Sequence, residues 1–247
     1  TSDIFQATDS IGTNIFAPVA EEVLSFDEFR YFTGVTTLKY GAFTGMVNMS
    51  SITLPASVQS MDEASFRSSR KNVSCDINVV DDNPYYKSDN GILYSKGGSV
   101  LYKCAKYIAS LTLSDDVTSI ASYAFEKNPI ETIYAPNAEI VDKKAVFYNC
   151  ANLKSVTLKS ISGSNTTLVF AGCLNLTTIE FTGAFSGGAL NTFGSSASDY
   201  TGRNTYSEGV NKLRLAVNAV VPTTEPWSTP LLDATKCGFI AHGEITI

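Results

Sequence analysis

The sequence predicts a repeat solenoid, a β-rich fold of about seven coils with short parallel strands and few short helices. One observation is a direct repeat: AVFYNCANLKSVTL at 145–158 recurs as TLVFAGCLNLTTIEF at 167–181, offset by 23 residues, the distance from 147 to 170. The other is an apolar–x–apolar motif that recurs at similar intervals along the chain. A fixed period of this size is typical of coils that bury a common apolar face against their neighbours.

Each coil carries a phenylalanine anchor. Because stacked strands lie about 4.8 Å apart, we expect these rings to form an aromatic ladder inside the core. The anchors are Phe43, Phe66, Phe125, Phe147 and Phe170, with Phe193 as a further candidate.

An asparagine follows the anchor by five residues at Asn48, Asn152 and Asn175. We expect its side chain to bond buried backbone groups of the turn and of the neighbouring coils. Glycosylation is the alternative interpretation, because Asn48, Asn72, Asn165 and Asn175 all lie in N-x-Ser/Thr.

The apolar–x–apolar motifs predict the strands. Alternation places their first and third residues in the core and the residues between them outside. The segment 29–31 also fits, although 20–32 is compatible with a short amphipathic helix, and the coil at 159–169 is irregular because polar SGSNTT interrupts it. The motifs lie at 52–54, 77–79, 111–113, 133–135, 156–158, 179–181 and 213–215, the last of which ends the series.

These patterns predict a single repeat domain. We assign 1–24 to an N-terminal cap, 25–215 to the repeats and 216–247 to a C-terminal cap, which 245–247 closes as a strand. Two insertions interrupt the repeats, a β-hairpin within 81–107 and a Gly/Ser-rich loop at 194–209.

Tyrosines concentrate at the hairpin insertion. Exposed tyrosines provide contact area and a hydroxyl at low entropic cost, although the rings could equally cover the base of the hairpin. On the predicted outer face of the sheet, Tyr134 is the one strong anchor. We therefore expect a ligand to engage the hairpin together with the sheet around Tyr134, and the candidate residues are Tyr85, Tyr86, Tyr94, Tyr102 and Tyr134.

Composition narrows the class of partner. The chain has 247 residues, 44% of them hydrophobic and 17% charged, with a formal net charge of −6. This charge and the lack of a basic cluster argue against binding to nucleic acid or anionic membranes. The sequence contains no apolar run of 18 residues and no export signal in its first residues, TSDIFQATDS. We expect a monomer.

Residues suited to catalysis are few, so we expect no enzyme activity, metal or cofactor. The only histidine is His242, and a nucleophilic triad would require it. Asp81, Asp82 and Asp89 lack the spacing of an EF-hand. Of the five cysteines, Cys150 and Cys173 occupy equivalent repeat positions, where they are expected to be small buried hydrophobes, with a disulfide as the alternative.

Several segments in order resemble the BspA-like leucine-rich repeats of bacterial surface proteins. They are SITLPASVQSMDEASF at 51–66, LTLSDDVTSIASYAF at 111–125, the FxxCxNL segments at 147–153 and 170–176, the insertion NPYYKSDNGILYSKGGSVLYKC and the SFDEFRYFTG segment. The resemblance implies an exported, extracellular or cell-surface protein of an anaerobic bacterium, used in adhesion or ligand binding, and the family shares no catalytic residues.

The favoured hypothesis is therefore a non-catalytic module that binds a host or bacterial surface protein. A glycan-binding accessory protein of nutrient capture, with a polysaccharide partner, and a structural spacer without ligand are the alternatives.

Overall fold

The computed structural model describes residues 10–12, 16, 18–67, 74–173, 175–176 and 178–183, with the strand backbones at 212–215 and 238–241. The chain forms two compact units, Thr1–Tyr107 with Ala121–Ala124 and Ile108–Ile120 with Phe125–Ile247. Within the described residues, both units consist of short strands, and the one helix is a single 3₁₀ turn. The predicted β-solenoid class is confirmed, whereas the predicted bounds of caps and repeats stay predictions.

The first unit contains parallel strand pairs and an antiparallel insertion. Its strands are β1 Ser10–Ile11, β2 Thr37–Leu38, β3 Ser51–Leu54, β4 Ser60–Met61, β5 Asp76–Val79, β6 Tyr86–Asp89, β7 Ile92–Ser95 and β8 Val100–Lys103. Strand β2 pairs in parallel with β1 and β4, and β3 pairs in parallel with β5, placing Ile52 beside Ile77.

Of the two interpretations of 29–31, a strand motif or part of a short helix, the structure has the helix. Asp27–Tyr31 is a 3₁₀ helix, and the residue that bridges in parallel to Ile52 is Phe26. Phe29 is fully buried, so its ring packs this helix onto the core. In a strand every second residue points inward, and in a helix every third or fourth residue does. A motif of three residues is too short to distinguish these two periods.

The second unit repeats one strand position in register. Its strands are β9 Ser110–Thr112, β10 Ser119–Ile120, β11 Thr132–Val141, β12 Ser155–Ser162, β13 Thr178–Phe181, β14 Lys212–Leu215 and β15 Gly238–Ala241. Ile133 lies between Leu111 and Val156, and Val156 is followed by Ile179. The period read from the sequence therefore sets the strand register.

One strand of this row was missed. The motif at 213–215 does not end the series, because Gly238–Ala241 pairs in parallel with it, with Leu213 beside Phe239. The predicted closing strand at 245–247 lies outside the described residues, as do the loop at 194–209, Phe193 and Asn72.

A second row of pairing crosses the coil that was expected to be irregular. Strand β12 continues to Ser162, and Ile161 lies beside Ile140 of β11. Both isoleucines are fully buried. The coil predicted to be irregular at 159–169 therefore begins with a regular strand, because buried Ile161 keeps the alternation, and the strand ends at Ser162, where the polar SGSNTT segment begins.

Aromatic anchors stack as the repeat predicts. In the second unit, the Phe147 ring lies 5.2 Å from Phe125 and 5.4 Å from Phe170, the latter pair nearly parallel at 3°. In the first unit, the Phe43 and Phe66 rings lie 4.8 Å apart. The core of each unit therefore contains stacked aromatic rings at the repeat position.

The cysteines next to this ladder are reduced and buried. The Cys150 thiol donates to the Phe125 carbonyl at 2.9 Å, and the Cys173 thiol donates to the Phe147 carbonyl at 3.0 Å. Each thiol thus satisfies a backbone acceptor that the core removes from water. The absence of a Cys150–Cys173 disulfide agrees with the expected buried-hydrophobe role and adds a donor role to it.

The asparagines at the repeat position lie at the surface. The side-chain amide of Asn48 donates to the Glu21 carbonyl at 2.7 Å, and that of Asn175 donates to the Ala151 carbonyl at 2.8 Å. These bonds join neighbouring coils as expected. Asn152, at the same repeat position, is also exposed, and its bonding of the turn stays a prediction.

Left-handed backbone recurs two residues before and two residues after the anchors. Ala145 and Asn149 flank Phe147 in this conformation, with φ of 52° and 57°. Leu168 and Gly172 flank Phe170 in the same way, with φ of 58° and 80°. Both coils therefore make two tight bends around their anchors, at a cost for residues other than glycine.

Candidate binding surfaces

The hairpin insertion of the first unit is a three-stranded antiparallel sheet. Strand β7 pairs with β6 across the Asn90-Gly91 turn and with β8 across the turn at 96–98. The Asn-Gly dipeptide, with φ of 48° and 75°, suits a tight hairpin turn. The sequence located the β7–β8 hairpin but not β6, because the segment before Asn90 is polar and does not alternate visibly.

The tyrosines of this sheet are not equally exposed. Tyr85 is 47% exposed, whereas Tyr86 is only 5% exposed and packs edge-on against Tyr102 with ring centroids 5.4 Å apart. Tyr94 and Tyr102 are half-buried. Tyr107, at the end of the insertion, is 43% exposed. In the predicted cluster, Tyr86 therefore covers the base of the insertion, whereas Tyr85 and Tyr107 face solvent.

Burial changes the pKa of two of these tyrosines. Burial raises the pKa of Tyr86 and of Tyr94 to about 12, with nearby Tyr102 adding to the effect at Tyr86 and Cys104 at Tyr94. Both phenols are therefore neutral at physiological pH. They contribute packing to this sheet rather than charge.

Asn83 fixes the base of the sheet and was not identified from the sequence. It is fully buried, and its amide donates to the carbonyls of Pro55 and Val58 at 2.8 and 3.0 Å. Its side-chain oxygen accepts the backbone N–H groups of Tyr85 and Tyr86, both at 2.8 Å. Because this amide joins the insertion to an adjacent coil, the backbone of Tyr85 is held rigidly. The Asn-Pro dipeptide is the local signal for such a side-chain turn.

The acidic residues near this insertion lie at its surface. Asp81, Asp82 and Asp89 are exposed, and Asp89 accepts a hydrogen bond from the Asn90 amide at 3.0 Å. No group of three or more potential metal ligands occurs among the described residues. His242 and Cys237 lie outside them.

The second unit presents a sheet face that is rich in hydroxyl groups, which we name the hydroxyl face. The outward positions are in register, with Tyr134 between Thr112 and Thr157, and Thr132 between Ser110 and Ser155. Their inward neighbours Ile133 and Ala135 are buried. The hydroxyl face consists of Ser110, Thr112, Thr132, Tyr134, Ser155 and Thr157.

Tyr134 is the exposed aromatic residue of the hydroxyl face, with 51% of its surface accessible. Thr132 and Ser110 bond each other at 2.6 Å. By contrast, the side-chain hydroxyls of Thr112, Tyr134 and Thr157 have no hydrogen-bond partner among the residues that the structure describes. These hydroxyls remain available to solvent or to a ligand.

Charges lie at the borders of the hydroxyl face. Lys154 and Glu131 form an ion pair at 2.6 Å where β11 and β12 begin. Glu180 is the outward residue next to Thr157 on β13. The six positions of the face itself are uncharged.

Two further exposed tyrosines of the first unit were not identified from the sequence. Tyr31 is 69% exposed with the Arg30 guanidinium 5.3 Å from its ring, and Tyr40 is 51% exposed and accepts a hydrogen bond from Arg67. They lie apart in sequence from any cluster, so composition alone gave no signal for them.

The repeats of this chain match a known family. The profile of the BspA type leucine-rich repeat region matches residues 3–89 and 95–198 of this chain, in 6 copies. The chain belongs to the BspA-type leucine-rich repeat family. The family assignment that the sequence motifs suggested is therefore confirmed. No match is found among curated proteins.

Solved structures similar to this BspA-type chain are bacterial. A leucine-rich cell surface protein from Faecalibacterium prausnitzii is 17% identical with a TM-score of 0.49, covering 89% of this chain and 63% of that one. A leucine-rich repeat protein from Eubacterium ventriosum is 20% identical with a TM-score of 0.44, covering 61% and 47%. The pneumococcal vaccine antigen PcpA is 17% identical with a TM-score of 0.39, covering 86% and 60%.

The chain thus spans between 47% and 63% of the length of these three proteins. In the part of the chain that the structure describes, no helix has the length and apolar character needed to cross a bilayer.

Proposed function

We propose that this BspA-type chain is a non-catalytic binding module that acts outside the cell, at the bacterial surface, and recognises a protein ligand. The observation that carries this proposal is the pairing of exposure and rigidity at Tyr85. Its ring is 47% exposed while Asn83 fixes its backbone N–H. A rigid exposed aromatic loses little entropy on binding, which is the property of interface anchors.

Residues of the antiparallel sheet also hold the backbone of Tyr85. The Tyr85 carbonyl accepts the Lys96 N–H at 2.7 Å, and the Lys96 ammonium donates to the Asp81 carbonyl at 2.8 Å. In this proposal Tyr85 contacts the ligand, the half-buried Tyr94 and Tyr102 shape the surface, and buried Tyr86 maintains the sheet. Tyr134 belongs to the second unit, and protein binding by the hairpin does not depend on it.

Binding to purified host matrix proteins, such as collagens and laminin, tests the proposal. The parent chain is immobilised and each matrix protein is passed over it at physiological salt concentration. Loss of the ring in Tyr85→Ala should weaken binding by about tenfold or more, because anchor residues contribute on the order of 2 kcal/mol. A simultaneous change of Tyr86 would be uninformative, because this residue is buried and its loss would disturb the sheet.

The matched control is Tyr31→Ala, which removes a more exposed ring, 69% accessible, from the same unit. It should bind as the parent does, and circular dichroism should show that both variants are folded. The proposal is wrong if no matrix protein binds the parent chain, or if Tyr85→Ala retains the parent affinity.

A further inference from the structure

We propose that the hydroxyl face of the second unit is a second binding site, and that it takes a neutral polysaccharide. The proposal uses residues of a different unit from the hairpin, so it stands independently of the protein-binding function. It rests on three properties of the face: an exposed aromatic ring, hydroxyls without partners beside it, and the absence of charge at its six positions.

The first property is the ring of Tyr134. A pyranose ring carries C–H groups on its faces and hydroxyls around its rim, so it needs a flat apolar partner that leaves the rim free. Tyr134 is 51% exposed in the centre of the row of strands β9, β11 and β12. An aromatic ring with this exposure provides apolar area on a solvated surface.

The second property is the set of hydroxyls on either side. Thr112 and Thr157 flank Tyr134 in register, each about 4.8 Å away across the sheet. A hydroxyl both donates and accepts, which matches sugar hydroxyls that do the same. Since neither threonine hydroxyl has a partner among the described residues, a sugar would not have to break an existing protein bond.

The third property decides between ligand classes. Charged polymers are selected by opposite charge, and the six positions of the face have none. Bordering charges are partly neutralised, since Glu131 and Lys154 pair at 2.6 Å. A protein partner is favoured by clusters of Tyr, Trp and Arg in a pocket, whereas here a single ring stands among serines and threonines on a sheet. A neutral polyhydroxylated chain fits these properties best.

The repeat also favours a polymer over a single sugar. Ser110, Thr132 and Ser155 continue the hydroxyls in a second row parallel to the first. A polysaccharide lying across the strands would meet one outward residue about every 4.8 Å. Successive sugar units could then each find a hydroxyl, which raises affinity by multivalent contact.

The test is affinity electrophoresis of the full chain in gels containing one polysaccharide each. The neutral probes are a β-1,4-glucan, a β-1,3-glucan, an α-glucan and a galactomannan, and the charged probes are hyaluronan and chondroitin sulfate. At least one neutral polymer should retard the parent chain, and the charged polymers should not.

Variants of the face assign the binding to it. Tyr134→Ala should weaken retardation by about tenfold, while Tyr134→Phe, which keeps the ring, should lose no more than about threefold. Thr157→Val keeps the side-chain shape and removes the hydroxyl, so it should weaken binding by about fivefold. Tyr31→Ala, the exposed tyrosine of the first unit, should behave as the parent.

The proposal is overturned if no neutral polymer in the panel retards the parent, if Tyr134→Ala is retarded as strongly as the parent, or if the charged polymers bind more tightly. Tyr85→Ala should keep full retardation. A chain that loses matrix-protein binding in Tyr85→Ala but keeps polysaccharide binding separates the two sites, and the failure of either site leaves the result for the other readable.

Discussion

Replacing Phe147 by alanine should destabilise the second unit strongly. Phe147 is fully buried and stacks on both sides, 5.2 Å from Phe125 and 5.4 Å from Phe170. The substitution opens a cavity between two rings that are held by their own coils. Phe→Ala in a core costs about 3–5 kcal/mol, and each lost ring contact adds roughly 0.5–1.5 kcal/mol to area burial. Because the range for Phe→Ala already includes such contacts, we expect the upper part of that range, about 4–5 kcal/mol.

Phe66 provides the matched comparison. It occupies the same repeat position in the first unit, but it is half-buried, and its stacking partner is Phe43 at 4.8 Å. Phe66→Ala should cost less, about 1.5–3 kcal/mol, because the ring buries less surface and its place is open to solvent. The difference between the two variants isolates burial from repeat position.

Urea unfolding measures the effect. With an m value of about 3 kcal/mol/M, a cost of 4–5 kcal/mol moves the midpoint down by about 1.5 M. Because two units can unfold separately, circular dichroism should be accompanied by labelling of Cys150, which is buried in the second unit. An unchanged midpoint for Phe147→Ala would refute the ladder, and equal costs for the two variants would refute the dependence on burial.

Three other features of the fold, a glycine bend and two sets of buried thiols, give further expected outcomes. Gly172→Ala should lower the free energy of unfolding by roughly 1–3 kcal/mol, because φ there is 80° and an added Cβ would overlap the Asn149 side-chain oxygen. The control is Gly97→Ala, whose added Cβ meets nothing within 4 Å and which should leave the urea midpoint unchanged. The thiols of Cys150 and Cys173, fully or almost fully buried, should react with a thiol reagent only at the rate of unfolding, and rapid labelling in native buffer would contradict their burial. Burial raises the pKa of Cys75 from its ordinary value of 9.0 to about 12. Because the thiol therefore loses its proton more readily in the unfolded chain, the free energy of unfolding should fall as pH rises from about 9 to 12. Cys75→Ala should show a smaller fall in urea midpoint between pH 8 and pH 10 than the parent, and an identical fall would contradict this.

The sequence determined the register of the second unit because every coil repeats the same alternation. Ile133, Val156 and Ile179 are spaced by one period, so aligning the letters also aligns the strands. The outer positions follow from the same rule, which is why Tyr134 was placed correctly on the outer side. A period of 2 leaves no freedom once the buried residues are chosen.

Prediction failed where local sequence does not decide the direction of a side chain. Tyr85 and Tyr86 are adjacent and chemically identical, yet one is 47% exposed and the other 5%. The backbone of both is held by Asn83, whose contacts with Pro55 and Val58 come from a distant part of the chain. The strand at Gly238–Ala241 was missed for a related reason, because a glycine and an alanine at its ends weaken the apolar pattern.

The bends around the anchors have a consequence for how coils can follow one another. At the second bend, Asn149 extends its side chain into the space that Gly172 of the next coil leaves empty. A further pair behaves alike, since a Cβ at Gly163 would lie 2.5 Å from the Asp142 carboxylate. At these two places, the side chain of one coil occupies the space that a glycine of another coil leaves free. The glycines at 163 and 172 therefore serve the fit between coils as well as the backbone conformation, and a larger residue at either position would set two side chains against one space.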